Sequence, residues 1–71
     1  MFSIDINQTG AYGDTALHFY ALIGNLEHVK WLIKEGVDMN VKNIFGDTAL
    51  YYATQAGKLD VVQLLREHGA K

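Results

Sequence analysis

Gly46-Asp47-Thr48-Ala49-Leu50 repeats, residue for residue, the earlier stretch Gly13-Asp14-Thr15-Ala16-Leu17. The offset is 46 minus 13, or 33 positions. Laid over residues 46–71, residues 13–38 give 26 pairs, of which ten are identical. Beyond the five above these are Gly24/Gly57, Leu26/Leu59, Val29/Val62, Leu32/Leu65 and Gly36/Gly69. Ile4-Asp5-Ile6-Asn7 echoes Val37-Asp38-Met39-Asn40 at the same offset. A fixed period of this length marks a repeat architecture. The chain reads as one domain over 1–71: a lead-in over 1–12 that carries the tail of a unit, a repeat over 13–45, and a terminal repeat over 46–71.

Composition narrows the function classes. The chain has 71 residues, 49% of them hydrophobic, and a net charge of −2. There is no basic run, which argues against nucleic acid, since phosphate binding needs clustered Lys and Arg. There is no cysteine, so disulfides and thiolate metal sites are excluded and a reducing, cytoplasmic setting fits. No stretch approaches the roughly 20 apolar residues of a membrane span, and no signal peptide is visible. Below about 70–80 residues a single core yields only a few kcal/mol.

Each unit reads as two short helices. Thr15 opens the first, since its hydroxyl can accept a free N–H of the first turn. That helix runs to about Ile23, and Gly24 ends it. The second spans about Leu26 to Glu35, with Leu26, Val29, Leu32 and Ile33 on one stripe. Glu27 in its first turn and Lys34 in its last suit the helix dipole. Gly36 stops it. Val37, Met39 and Val41 then alternate with Asp38, Asn40 and Lys42 in an extended pattern. Thr48 restarts the unit to about Ala56, Gly57 breaks it, and Leu59 to His68 form the partner helix. Leu59, Val62 and Leu65 are expected to repeat the buried stripe.

A 33-residue unit of turn, helix, turn, helix resembles the ankyrin repeat. Gly13, Thr15, Leu17 and His18 match that family's Gly-x-Thr-Pro-Leu-His, and Gly46, Thr48 and Leu50 match it again. Gly24-x-Leu26-Glu27, Gly57-x-Leu59-Asp60, Lys34 through Asn40, and Glu67-His68-Gly69-Ala70 match the rest. Ala16 and Ala49 stand in place of the family's proline. The resemblance implies an all-α solenoid of antiparallel helix pairs joined by extended β-turn/hairpin connections. It also implies that Thr15 and His18 tie turn, helix and neighbouring unit together. Tyr51 replaces the histidine in the second unit, which puts that tie in question.

Chemistry is sparse. His18 has a structural reading, and His28 and His68 make no His-x-x-x-His pair, so no metal site is expected. Asp14 and Asp47 sit one repeat apart, about 10 Å, and read as turn residues rather than an acid/base pair. No phosphate-cradling glycine loop, catalytic triad or cofactor site is found, and the expectation is a chain that is not an enzyme.

Aromatic residues crowd the turns and first helices. Core packing is the plainer reading for Phe19 and Tyr20. Tyr12 and Phe45 each precede a motif glycine at the tip of a connection, where the family contacts partners, and Ile44 adds apolar surface. The resemblance implies protein binding through turn tips and the concave first-helix surface. The candidate contacts are Tyr12, Asp14, Leu22, Ile23, Lys42, Ile44, Phe45, Asp47, Tyr52 and Gln55. The alternative is a scaffold or self-associating unit, or a fragment of a longer array. Arg66 in place of Ile33 and Thr54 in place of Ala21 read as a polar cap on the C-terminal side. On the first unit the only such softening is His28 in place of Val61, which suggests a homodimer through its open face, with Tyr20 and Trp31 at the contact.

Overall fold

The structure, a computed structural model, describes residues 9–70. It holds four helices: α1 (Ala16–Ile23), α2 (Leu26–Lys34), α3 (Ala49–Gln55) and α4 (Leu59–Glu67). A 3-10 turn, Ala11–Gly13, precedes them, and an isolated antiparallel bridge joins Thr9 to Thr15. The echo at Ile4–Asn7 and the terminal Lys71 lie outside the described residues. α1 packs on α2 within the first unit and α3 on α4 within the second, while α1 meets α3 and α2 meets α4 across the units. The result is two layers of two helices.

Local chemistry sets each start. Thr15 and Thr48 hold extended backbone just outside the helix, and their hydroxyls accept the N–H of His18 (3.3 Å) and Tyr51 (3.2 Å). Both threonines are therefore caps rather than first helical residues. Asn25 caps α2 in the same way, accepting from the His28 N–H at 3.2 Å. Lys58, its counterpart before α4, has no oxygen to offer and makes no side-chain cap. Gly24 ends α1 in the left-handed conformation (φ 75°). There a Cβ would lie 2.7 Å from the Lys58 side-chain stem, so the glycine also admits close approach by the second unit.

The core lies between the layers. Leu17, Ala21, Val29 and Leu32 of the first unit meet Ala49, Ala53, Val61 and Leu65 of the second, with Val37 below. Ala21 on α1 and Ala49 and Ala53 on α3 are small inward residues, which lets the helices approach closely. Alanine leaves little side chain to order on folding.

Two expectations about burial do not hold, for one reason. On α4 the buried residues are Val61 and Leu65; Val62 is half-buried and Leu59 is 75% exposed. Phe19 is 56% exposed rather than part of the core. Its counterpart, Tyr52, lies edge-on to His18 of the preceding unit, with ring centroids 5.3 Å apart. No described ring of another unit does the same for Phe19, which lies edge-on to Tyr20 of its own helix. Helix periodicity tells which face points inward, and the neighbouring unit decides whether that face is covered. Tyr20 is half-buried and stacks on His28 at 4.4 Å. On the other side, Thr54 and Arg66 are exposed where Ala21 is buried and Ile33 half-buried.

The difference between the two second-helix caps yields a test. Lys58→Asn should raise unfolding stability in urea by about 0.5–1 kcal/mol through a new N-cap. The loss of the Lys58 stem on Gly24 limits the gain. An unchanged or lower midpoint would show that the stem matters more than the cap.

Candidate functional site

The turns before α1 and α3 stand side by side and are locked by two polar joints. The first is His18. Its Nδ1 accepts from the Thr15 backbone N–H at 3.1 Å and lies 2.9 Å from the Thr15 hydroxyl. Its Nε2 lies 2.8 Å from the carbonyl oxygen of Asp47. A carbonyl only accepts, so Nε2 carries the proton. One imidazole thus closes a capping box on α1 and reaches across to the second unit, and it is 1% exposed. Thr48 and Tyr51 keep only the simple cap, with no reciprocal bond from the side chain.

The second joint is Asn43, a residue that the sequence reading passed over. Its Oδ1 accepts the backbone N–H of Phe45 and of Asp47, each at 2.9 Å. Its Nδ2 donates to Asp14 Oδ1 at 2.9 Å and to the Tyr52 hydroxyl at 2.6 Å. The Tyr52 hydroxyl in turn donates to Asp14 Oδ1 at 3.1 Å. All four hydrogen-bonding positions of the carboxamide are used, and the residue is buried. The counterpart of Asn43 one repeat earlier is Gly10. Comparison of the repeats therefore gives no signal for it; the signal available was an Asn two residues before Phe45 in a turn, the Asx pattern.

The tips themselves are fixed by backbone. The Ile44 N–H donates to the Tyr12 carbonyl at 2.9 Å. Gly13 (φ +74°) lets the Ile44 nitrogen come within 3.3 Å of where a Cβ would be. Tyr12 itself holds φ 62°, ψ 13°, the left-handed region that a bulky residue enters only at a cost. The outcome places the Tyr12 and Phe45 rings 5.7 Å apart, tilted by 32°. Both are exposed, at 62% and 64%. Ile44 beside them is exposed as well.

The remaining candidate residues distribute along this surface. Leu22 and Ile23 are exposed at the end of α1, as is Gln55 at the end of α3. Lys42 is exposed on the turn. Asp14, Asp47 and Tyr52 are half-buried around the Asn43 joint. Partial burial holds the Tyr52 phenol above its ordinary value near 10. The hydrogen bond to Asp14 and the charges of Asp14 and Asp47 add to this, and Asn43 opposes it. No group of three or more His, Asp or Glu that could hold a metal occurs among the described residues. No helix among them is long and apolar enough to cross a membrane.

The repeat period, the Thr15–His18 capping box and the stacked helix pairs agree with comparison to known proteins. The family model for ankyrin repeats (3 copies) matches residues 2–71. The chain belongs to the ankyrin repeat family. Ankyrin repeats are protein-interaction modules and generally non-enzymatic. No curated protein matches this chain. Among solved structures, it is similar to a chain from the Bd0816 predatory endopeptidase of Bdellovibrio bacteriovorus in complex with the immunity protein Bd3460. The identity is 38% and the TM-score 0.93. The match covers 96% of this chain and 35% of that one, so this ankyrin chain spans about a third of its neighbour's length.

The shifted phenol gives a measurable consequence. Folding favours the protonated Tyr52, so its contribution to stability is complete below the ordinary tyrosine value and is lost as pH rises through the higher folded value. Phenolate absorbance should show one of the four tyrosines ionising late, and Tyr52→Phe should remove that late step. Asp14→Asn keeps an oxygen acceptor for Asn43 and Tyr52 while deleting a charge, and should bring the step to lower pH. A late step that persists in Tyr52→Phe, or that does not move in Asp14→Asn, would remove Tyr52 from the joint.

Proposed function

We propose that this chain is a non-enzymatic protein-binding module that engages a partner through its turn tips and the adjoining ends of its first helices. Tyr12, Asp14, Leu22 and Ile23 contribute from the first turn and α1. Lys42, Ile44, Phe45, Asp47 and Gln55 contribute from the second turn and α3, with Tyr52 supplying a ring edge and holding its neighbours through its hydroxyl. The observation that carries this reading is the exposed Tyr12–Phe45 ring pair on turns locked by Asn43 and His18. Aromatic side chains make strong interface anchors because they bury large area with few torsions to freeze. Anchors already held in place lose less on binding. The left-handed Tyr12 fits the same view, since strained backbone tends to persist where a side chain must be aimed. The solved neighbour occurs in a complex of an endopeptidase with an immunity protein, which favours a protein as partner class. The test is a pull-down to find the partner, followed by Tyr12→Ser/Phe45→Ser. Unfolding stability should stay within about 1 kcal/mol, as for exposed positions, while affinity falls at least about tenfold. Unaltered affinity would sink the idea.

A second reading has its own observation. Phe19 and Trp31 lie exposed on the outer side of the first unit, at 56% and 55%. Exposed apolar patches of this kind mark contact sites, and a two-fold pairing of first units would close the surface on itself. Sedimentation at micromolar concentration should then show a dimer that Trp31→Glu dissociates. A well-folded monomer would refute the pairing.

A further inference from the structure

We infer that the turn tips receive a cationic side chain of the partner, arginine above all, seated on the Tyr12–Phe45 ring pair and balanced by the carboxylates of Asp14 and Asp47. This inference rests on the reading of the tips as the binding surface and names the chemistry they select.

The rings come first. The two rings, with centroids 5.7 Å apart and tilted by 32°, are largely exposed and offer aromatic surface to solvent. Aromatic faces carry partial negative charge and attract a cation within about 6 Å of the ring centre. Guanidinium suits such a place best, being flat and weakly hydrated.

The carboxylates decide between occupants. An aspartate stands two residues beyond each tip aromatic: Tyr12 then Asp14, Phe45 then Asp47. Asp14 Oδ1 is bonded only by neutral donors, the Asn43 amide and the Tyr52 hydroxyl, so its charge is not cancelled there. The Asp47 carboxylate has no hydrogen bond among the described residues; its backbone makes those of the joint. Both charges reach the same Tyr52 hydroxyl, to which Asp14 is also hydrogen-bonded, and each aspartate stands two residues from a tip ring. Lys42 is the single cation between Lys34 and Lys58. Asp47 and Arg66 both line an open hollow on the second unit. A wholly apolar partner surface would strip water from two carboxylates with nothing in return, which is costly. An acidic one would be repelled. A segment bearing arginine satisfies both rings and carboxylates.

The experiment uses the whole chain, labelled for NMR, and a short synthetic peptide with arginines spaced by glycine and serine. Matched peptides carry citrulline or glutamate at the same positions. The arginine peptide should shift the amides of Tyr12 and of residues 44–47. Citrulline, which keeps the shape and lacks the charge, should bind at least about fivefold more weakly. The same loss is expected in Asp14→Asn/Asp47→Asn and in Tyr12→Ser/Phe45→Ser. Affinity should also fall between about 0.01 and about 0.1 M salt, as the screening length drops from ~30 to ~10 Å. Equal binding of the arginine and citrulline peptides, or binding of neither, overturns the inference. With a captured protein partner the two ideas separate. If Tyr12→Ser/Phe45→Ser abolishes binding and Asp14→Asn/Asp47→Asn leaves it intact, the tips bind but do not select a cation. If neither variant matters, both readings fall.

Discussion

Asn43 makes the contact on which the arrangement of the turns depends. The apolar contacts between α1 and α3, and between α2 and α4, hold the units together, but hydrophobic burial has little direction. It does not by itself set the height of one turn against the next. The Asn43 carboxamide does, because its two donors reach the first unit's Asp14 and the second unit's Tyr52 while its oxygen folds its own turn around two N–H groups. Buried amides are costly when any of these bonds is missing. The turn register is thereby specified rather than merely permitted. His18 repeats the logic a few residues away, with its ring nitrogens divided between its own cap and the next unit's carbonyl.

Much of this fold was written in short-range signals. Threonine caps, glycine stops and the 33-residue offset place all four helices to within a residue or so at their ends. The Thr15–His18 box follows from the family pattern. What escaped was whatever differs between the units or depends on a neighbour. Asn43 faces Gly10 in the repeat register, so a reading built on equivalence had nothing to compare. Leu59 and Phe19 sit on the expected helical faces, yet their burial depends on a unit that no described residue supplies. Val61 shows the converse: its counterpart His28 is exposed, but the same position on α4 is sealed because it faces α2.

The proposed binding surface was legible as positions rather than as geometry. Tyr12 and Phe45 could be named from their places before the motif glycines. Their pairing required the left-handed backbone of Tyr12 and the Ile44 bond to its carbonyl, neither of which a single sequence announces. Two polar joints underneath leave the tips little freedom to adapt. A surface of this kind trades breadth of recognition for a small entropic loss on binding.

His18 carries a further consequence. Both of its ring nitrogens are engaged and the residue is nearly inaccessible, whereas His28 and His68 lie exposed. An acylating reagent that attacks free imidazole nitrogen would find those two at once. It would reach His18 only during moments when the second unit lifts away from the first. Such openings in repeat proteins cost less than global unfolding, since each unit contacts only its neighbours. The slow acylation of one histidine among three would thus clock the parting of the two units, a motion that leaves the helices themselves intact.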